Sequence, residues 1–178
     1  MSKTDTLLVM AESYDNVQDA EADYEKVKAL YKDAKTSDDF DAAVLARGDD
    51  GKVTVVKKHE QPTRHGAVRG LGWGLAIGAA TAIFPPVGLL GALAVGGAAG
   101  ATIGAVRGHV KGGMSDADLK ELGQVLQEGK AGLLAVYEVN MADQVAASLK
   151  AQNHRVSKEM NASADALAKQ LREVQASA

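Results

Sequence analysis

Few residues in this chain are of a type and spacing that could do chemistry. Four histidines occur, at positions 59, 65, 109 and 154, and there is no cysteine. Thiolate metal sites, disulfides and a cysteine nucleophile are therefore excluded, and the composition suits a reducing cytoplasm. His65 and His109 stand at equal distances from the middle of an apolar stretch and could come together there. Two histidines with no carboxylate nearby in sequence make a poor metal site, so they read as interfacial polar residues. His59 and His154 have no motif around them. The acid pairs Asp38-Asp39 and Asp49-Asp50 sit beside turns, and no regularly spaced oxygen ligands closing on a glutamate make a calcium loop of them. Gly70-Leu71-Gly72 followed by Trp73-Gly74 has a superficial likeness to a dinucleotide fingerprint, but it follows a basic break instead of a strand. There is no phosphate-binding Gly-Lys-Ser/Thr and no serine elbow. Tyr14, Tyr24, Tyr31 and Tyr137 read as packing residues. The expectation is a protein that is not an enzyme and uses no cofactor and no metal.

The dominant feature is architectural. Gly70 to Val106 carries no charge at all and contains Pro85-Pro86 near its middle. Glycines recur every fourth residue on both sides: Gly66, Gly70, Gly74 and Gly78 before the prolines, Gly96, Gly100, Gly104 and Gly108 after them. Folding at the prolines sets one series against the other, so two helices could approach along bare stripes. Each arm, at about 1.5 Å per residue, comes near the thickness of a bilayer's hydrocarbon core. Arg64, Arg69, Arg107 and Lys111 lie at the base and Trp73 one turn inside, as a membrane interface would favour. This predicts a glycine-zipper hairpin over 64–111 in the cytoplasmic membrane. The competing expectation is a cytoplasmic assembly, in which hairpins of several copies bury one another. An apolar surface of this extent on a lone chain in water would be exceptional, so lipid or self-association is required.

Charge divides in the same way. The net charge is −3, yet 61–115 holds four cations and no acid, which leaves the rest of the chain seven units negative. A basic-flanked insert in an acidic body does not fit a nucleic-acid binder, whose cations would line one face.

The 178 residues otherwise read as one α+β domain. Thr6 to Ser13 is a buried strand, and Val17 to Lys35 a helix with Val17, Ala20, Tyr24, Val27, Leu30 and Tyr31 inward and Asp19, Glu21, Asp23, Glu25, Lys26 and Lys28 outward. Phe40 to Ala46 and Lys52 to His59 form a hairpin around Asp49-Asp50-Gly51. Beyond the insert, Ser115 with Asp118 caps a helix that Gly129 stops. Leu133 to Glu138 is another strand, Asn140 begins a further helix, His154 to Met160 is a possible fifth strand and Ser163 to Gln175 a terminal helix. The split β-α-β order predicts a ferredoxin-like antiparallel sheet with helices on one face. Its parts are 1–63 and 112–160, interrupted by the hairpin at 64–111 and followed by a C-terminal helix in 161–178.

Met114 to Glu138 (MSDADLKELGQVLQEGKAGLLAVYE), together with the Gly-rich insert and its central prolines, resembles the bacterial domain-of-unknown-function family 1269, whose members are often labelled membrane proteins. The resemblance covers most of the chain. It implies a ferredoxin-like body with a membrane-type hairpin, and no activity to transfer. The combined expectation is a self-associating structural or adaptor protein that contacts the lipid bilayer, with its soluble domain facing the cytoplasm and no nucleic-acid partner. Alternatives are a homo-oligomeric cage, ring or filament, and a regulatory module for an unidentified small molecule.

Overall fold

The computed structural model describes residues 6–33, 40–58, 75–83, 89–90, 98–149 and 153–163, together with the single positions Lys169 and Glu173. Elements follow in the order β1 (Thr6–Tyr14), α1 (Val17–Asp33), β2 (Phe40–Arg47), β3 (Val53–Lys58), α2 (Leu75–Ile83), β4 (Leu89–Leu90), α3 (Ala98–Gly113), α4 (Asp116–Glu128), β5 (Ala131–Glu138), α5 (Ala142–Ser148) and β6 (His154–Ser163). A short 3-10 turn, Val139–Met141, leads into α5. Lys169 and Glu173 are helical, and the rest of the expected C-terminal helix lies outside the described residues.

The fold is mixed α+β. Five strands pair antiparallel in the order β3-β2-β5-β1-β6, and the two-residue β4 adds in parallel beside β3. A ferredoxin-like order built on the first three strands would set β3 between β1 and β2; β5 fills that place. The reason is composition. A central strand must be apolar on both faces, and β5 (AGLLAVYE) is buried at every position. β3 carries Thr54, Lys57 and Lys58 and stays near the edge.

Helices cover both faces of the sheet, not one. Leu8, Met10, Tyr14, Leu133, Ala135 and Tyr137 face α1 and α5, where Ala20, Tyr24, Val27, Val145 and Leu149 complete one core. Leu7, Val9, Ala11, Leu134 and Val136 face α2, α3 and α4, where Ala76, Ala80, Val110, Leu122 and Leu126 complete the other. This two-sided cover is why β1 and β5 read as unbroken apolar runs.

Local signals work as their chemistry requires. The Ser115 hydroxyl oxygen accepts from the Asp118 amide at 3.1 Å and caps α4. Gly51 takes φ +78° in the β2–β3 turn, a left-handed conformation that glycine adopts without steric cost. Gly129 ends α4 where a Cβ would stand 2.2 Å from the Tyr14 carbonyl oxygen, so only a bare backbone lets β5 begin against β1.

The insert departs from its expected role. No helix among the described residues is long and apolar enough to cross a membrane. α2 has nine residues, about 14 Å of helix against the roughly 30 Å of a hydrocarbon core, and α3 has sixteen with Arg107, His109 and Lys111 in its second half. The transmembrane hairpin is thus overturned for these segments, and the physical cause is visible. α2 and α3 pack against each other and against the domain, where Ala76, Ala79, Ala80 and Thr81 of α2 are buried. Ala76, Ala79, Ala80 and Ile83, apolar positions that read as part of a lipid-facing arm, pack in the core on the second face of the sheet.

The glycine zipper is corrected with it. Among the described residues, a Cβ at Gly104 or Gly108 would meet nothing within 4 Å, so these exposed positions hold no described helix. Alanine at either should therefore stabilise α3 by about 0.5–1 kcal/mol, because an exposed helical glycine costs backbone entropy that alanine does not. Chemical denaturation of Gly104→Ala and Gly108→Ala checks this; a loss of stability at both would reinstate a packed stripe.

Candidate functional site

Of the residues singled out in the sequence, only some fall among the described ones. Arg64, Gly66, Arg69, Gly70, Trp73, Gly74, Pro85, Pro86 and Gly96 lie outside the described residues, as do His59 and His65. Gly78 falls in α2 and Gly100 in the first turn of α3. Arg107 is half-buried on α3 and Lys111 is exposed near its end. Among the described residues, no group of three or more His, Asp or Glu side chains is arranged to hold a metal ion.

The structure instead gathers titratable groups where the sequence showed only strand and helix. Glu12 and Tyr14 alternate onto the face of β1 that α1 and α5 cover, and both are fully buried. The Tyr14 hydroxyl donates to Glu12 Oε2 at 2.6 Å, with Asp23 Oδ2 of α1 as a second acceptor at 3.2 Å. Lys26 Nζ donates to Asp23 Oδ1 at 2.6 Å from the next turn of α1. Across the sheet, Arg155 of β6 lies opposite Glu12 in register, and its Nε donates to Glu12 Oε1. Arg155 Nη1 also reaches the Ala146 carbonyl of α5 at 3.3 Å. Two carboxylates are thus matched by two cations around one phenol, and the cluster ties β1, β6, α1 and α5 together.

Burial sets the electrostatics of this cluster. Burial raises the Glu12 pKa above 4.5, outweighing the hydrogen bond from Tyr14 and the charge of Arg155. Burial, then the negative charge of Glu12, pushes the Tyr14 phenol far above its ordinary value, so it keeps its proton and remains a donor. Tyr137, on the same face of the sheet, is raised by burial as well. Glu12, Tyr14 and Asp23 are each fully buried and hydrogen-bonded to another member of the group.

Two further polar anchors lie on the opposite face. Asp41 of β2 is buried, and its Oδ2 accepts from the Ala76 amide of α2 at 2.9 Å while Oδ1 accepts from the Ala42 amide at 3.0 Å. A carboxylate at the start of α2 satisfies a backbone donor and meets the positive end of the helix dipole. Lys158 of β6 bridges Asp118 and Glu121 of α4 at 3.3 and 2.6 Å. The hydrogen bond from Ser115, with Lys158 behind it, lowers the Asp118 pKa, and Glu121 with Asp118 raises that of Lys158.

Sequence reasoning assigned Asp23 to the solvated face of α1; it is buried. It also passed over Glu12, Asp41 and Arg155. One signal was present: a carboxylate two residues from a tyrosine in a run as apolar as Leu7 to Tyr14 shares that tyrosine's buried face and must find a cation.

No curated protein and no solved structure matches the chain. A family model described as a protein of unknown function, DUF1269, matches residues 67–174, from the insert through α4, β5, α5 and β6. Over that majority of its length, and in the segment that carries α4, Gly129 and β5, this chain belongs to the DUF1269 family.

Proposed function

We propose that this protein is a non-enzymatic structural or adaptor module that works by self-association. The observation that carries the reading is the edge of the sheet. β6 runs ten residues, His154–Ser163, and among the described residues it pairs with β1 alone and ends the strand order. An edge of that length presents a row of backbone donors and acceptors ready to pair with another strand. The buried ionic cluster supports the same reading from the other direction, since its acids, phenol and cations are committed to one another and stiffen the framework that holds β6. α2 and α3, packed against the second face of the sheet, serve as a structural layer of each copy.

Light scattering of the purified full-length protein in detergent-free buffer tests this. The expected result is a discrete particle of two or more copies at tens of micromolar. A monodisperse single chain of 18.4 kDa under those conditions would overturn the reading.

A further inference from the structure

The geometry points to the interface itself: we infer that two copies join β6 to β6, antiparallel across a two-fold axis at Ser157, into one continuous sheet. This rests on the self-association proposed above and specifies its partner and register.

Three observations carry it. β6 is regular where it would pair: its register with β1 holds from His154 to Met160, and the irregularity lies beyond, between Met160 and Ser163. The opposite edge of the sheet is less suited, because β4 has two residues and covers β3 at Val53 and Thr54. The third is charge. Residues that face each other in a two-fold antiparallel pair must share a sheet face, so the axis passes through a residue. With Ser157 on the axis, Arg155 of each copy stands opposite Glu159 of the other. Opposite charges at that position favour pairing, and like charges oppose it.

The neighbouring registers lack this match. An axis at Val156 sets His154 against Lys158, and an axis at Lys158 sets that lysine against itself. Axes at Arg155 or Glu159 likewise oppose identical charges. In the favoured register a row of alternating charge crosses three strands: Glu12 of β1, Arg155 of β6, then Glu159 of the second copy. Glu159 and Ser157 are both exposed, so the row is open to be completed.

The absence of native cysteine makes a direct test possible. In Ser157→Cys the two thiols would sit across the axis, within the 4.4–6.8 Å Cα separation that a disulfide spans. In Glu159→Cys they would be about 14 Å apart, at about 3.4 Å per residue along each strand. Mild oxidation of the full-length variants should give a covalent dimer with the first and little with the second. Because Ser157 also meets the Tyr137 hydroxyl, Glu159→Lys supplies an independent reading. It places a cation opposite Arg155 and should weaken the dimer at least tenfold while circular dichroism stays unchanged.

If the wild type oligomerises but Ser157→Cys forms no disulfide, or Glu159→Cys links as readily, this interface is overturned and self-association still stands. An oligomer indifferent to Glu159→Lys would do the same. A monomeric wild type would overturn both.

Discussion

Replacing Glu12 by alanine should cost about 3 kcal/mol of folding stability, among the largest losses any single polar substitution in this chain would produce. The side chain is fully buried and accepts from both Tyr14 and Arg155. Without it the phenol loses its nearer acceptor, and Asp23 is left as its remaining one in the cluster. Arg155 keeps only the Ala146 carbonyl, and its Nη2 is already buried with no hydrogen bond among the described residues. A guanidinium stranded beneath α5 must either stay unpaired or swing outward and break the packing of β6. Urea unfolding measures the loss. A change below about 1 kcal/mol would mean that the cluster contributes little to holding the sheet and helices together.

Glutamine at the same position separates charge from shape. Its single amide oxygen can accept from Arg155 while its amide nitrogen donates to the Tyr14 hydroxyl oxygen, so its cost should be smaller than that of alanine. Since the folded-state pKa of Glu12 is raised, the native protein binds this proton more readily than the unfolded chain does. Its contribution to stability is therefore complete below pH 4.5 and is lost as pH rises through the raised value. Glu12→Gln has no such term. The advantage of wild type over the glutamine variant should accordingly shrink as pH rises above 4.5, then level off. An advantage that grows over that interval would show that the charged carboxylate is the favoured form.

These acids also mark the limit of what the chain discloses in one dimension. Elements whose signals are local were legible: the alternation of α1, the Ser115 cap, the Gly129 stop and the Asp49-Asp50-Gly51 turn each depend on residues within a turn or two. Strand order was not, because it depends on which strand can be buried twice, and β5 wins that place over β3 only in comparison. A clue lay in β1 and β5 themselves, whose unbroken apolar runs already called for cover on both faces. The cluster was hidden for a different reason. Asp23 lies among charged neighbours on α1 and its burial follows from Tyr14, nine residues earlier, while Glu12 takes its cation from 143 residues away. The insert was misread because apolarity sets a preference for leaving water but not the surface that receives it. Alanine and glycine suit a lipid-embedded helix pair, and they equally suit a thin helix laid flat on a sheet.

Asp41 is the residue that decides between those destinations, and Asp41→Ala is the second large effect expected. The carboxylate holds the Ala76 amide at the start of α2 and the Ala42 amide on its own strand, both inside the protein. Alanine would bury the Ala76 amide in the first turn of α2 without this partner and remove a negative charge from the helix's positive end. Hydrogen bonds to a charged group are worth about 1.5–3 kcal/mol each, so a loss of about 3 kcal/mol is expected. Asparagine, which keeps one acceptor oxygen, should lose about half as much. The consequence for the insert is more specific than the energy. Once α2 loosens, the buried face formed by Ala76, Ala79 and Ala80 opens, and amide hydrogen exchange over Leu75–Ile83 should rise by two orders of magnitude or more while α1 and α5, across the sheet, keep their protection. A 3 kcal/mol loss spread evenly over both faces would mean that Asp41 serves the whole domain; exchange confined to α2 would identify it as the clasp that keeps the insert on the sheet.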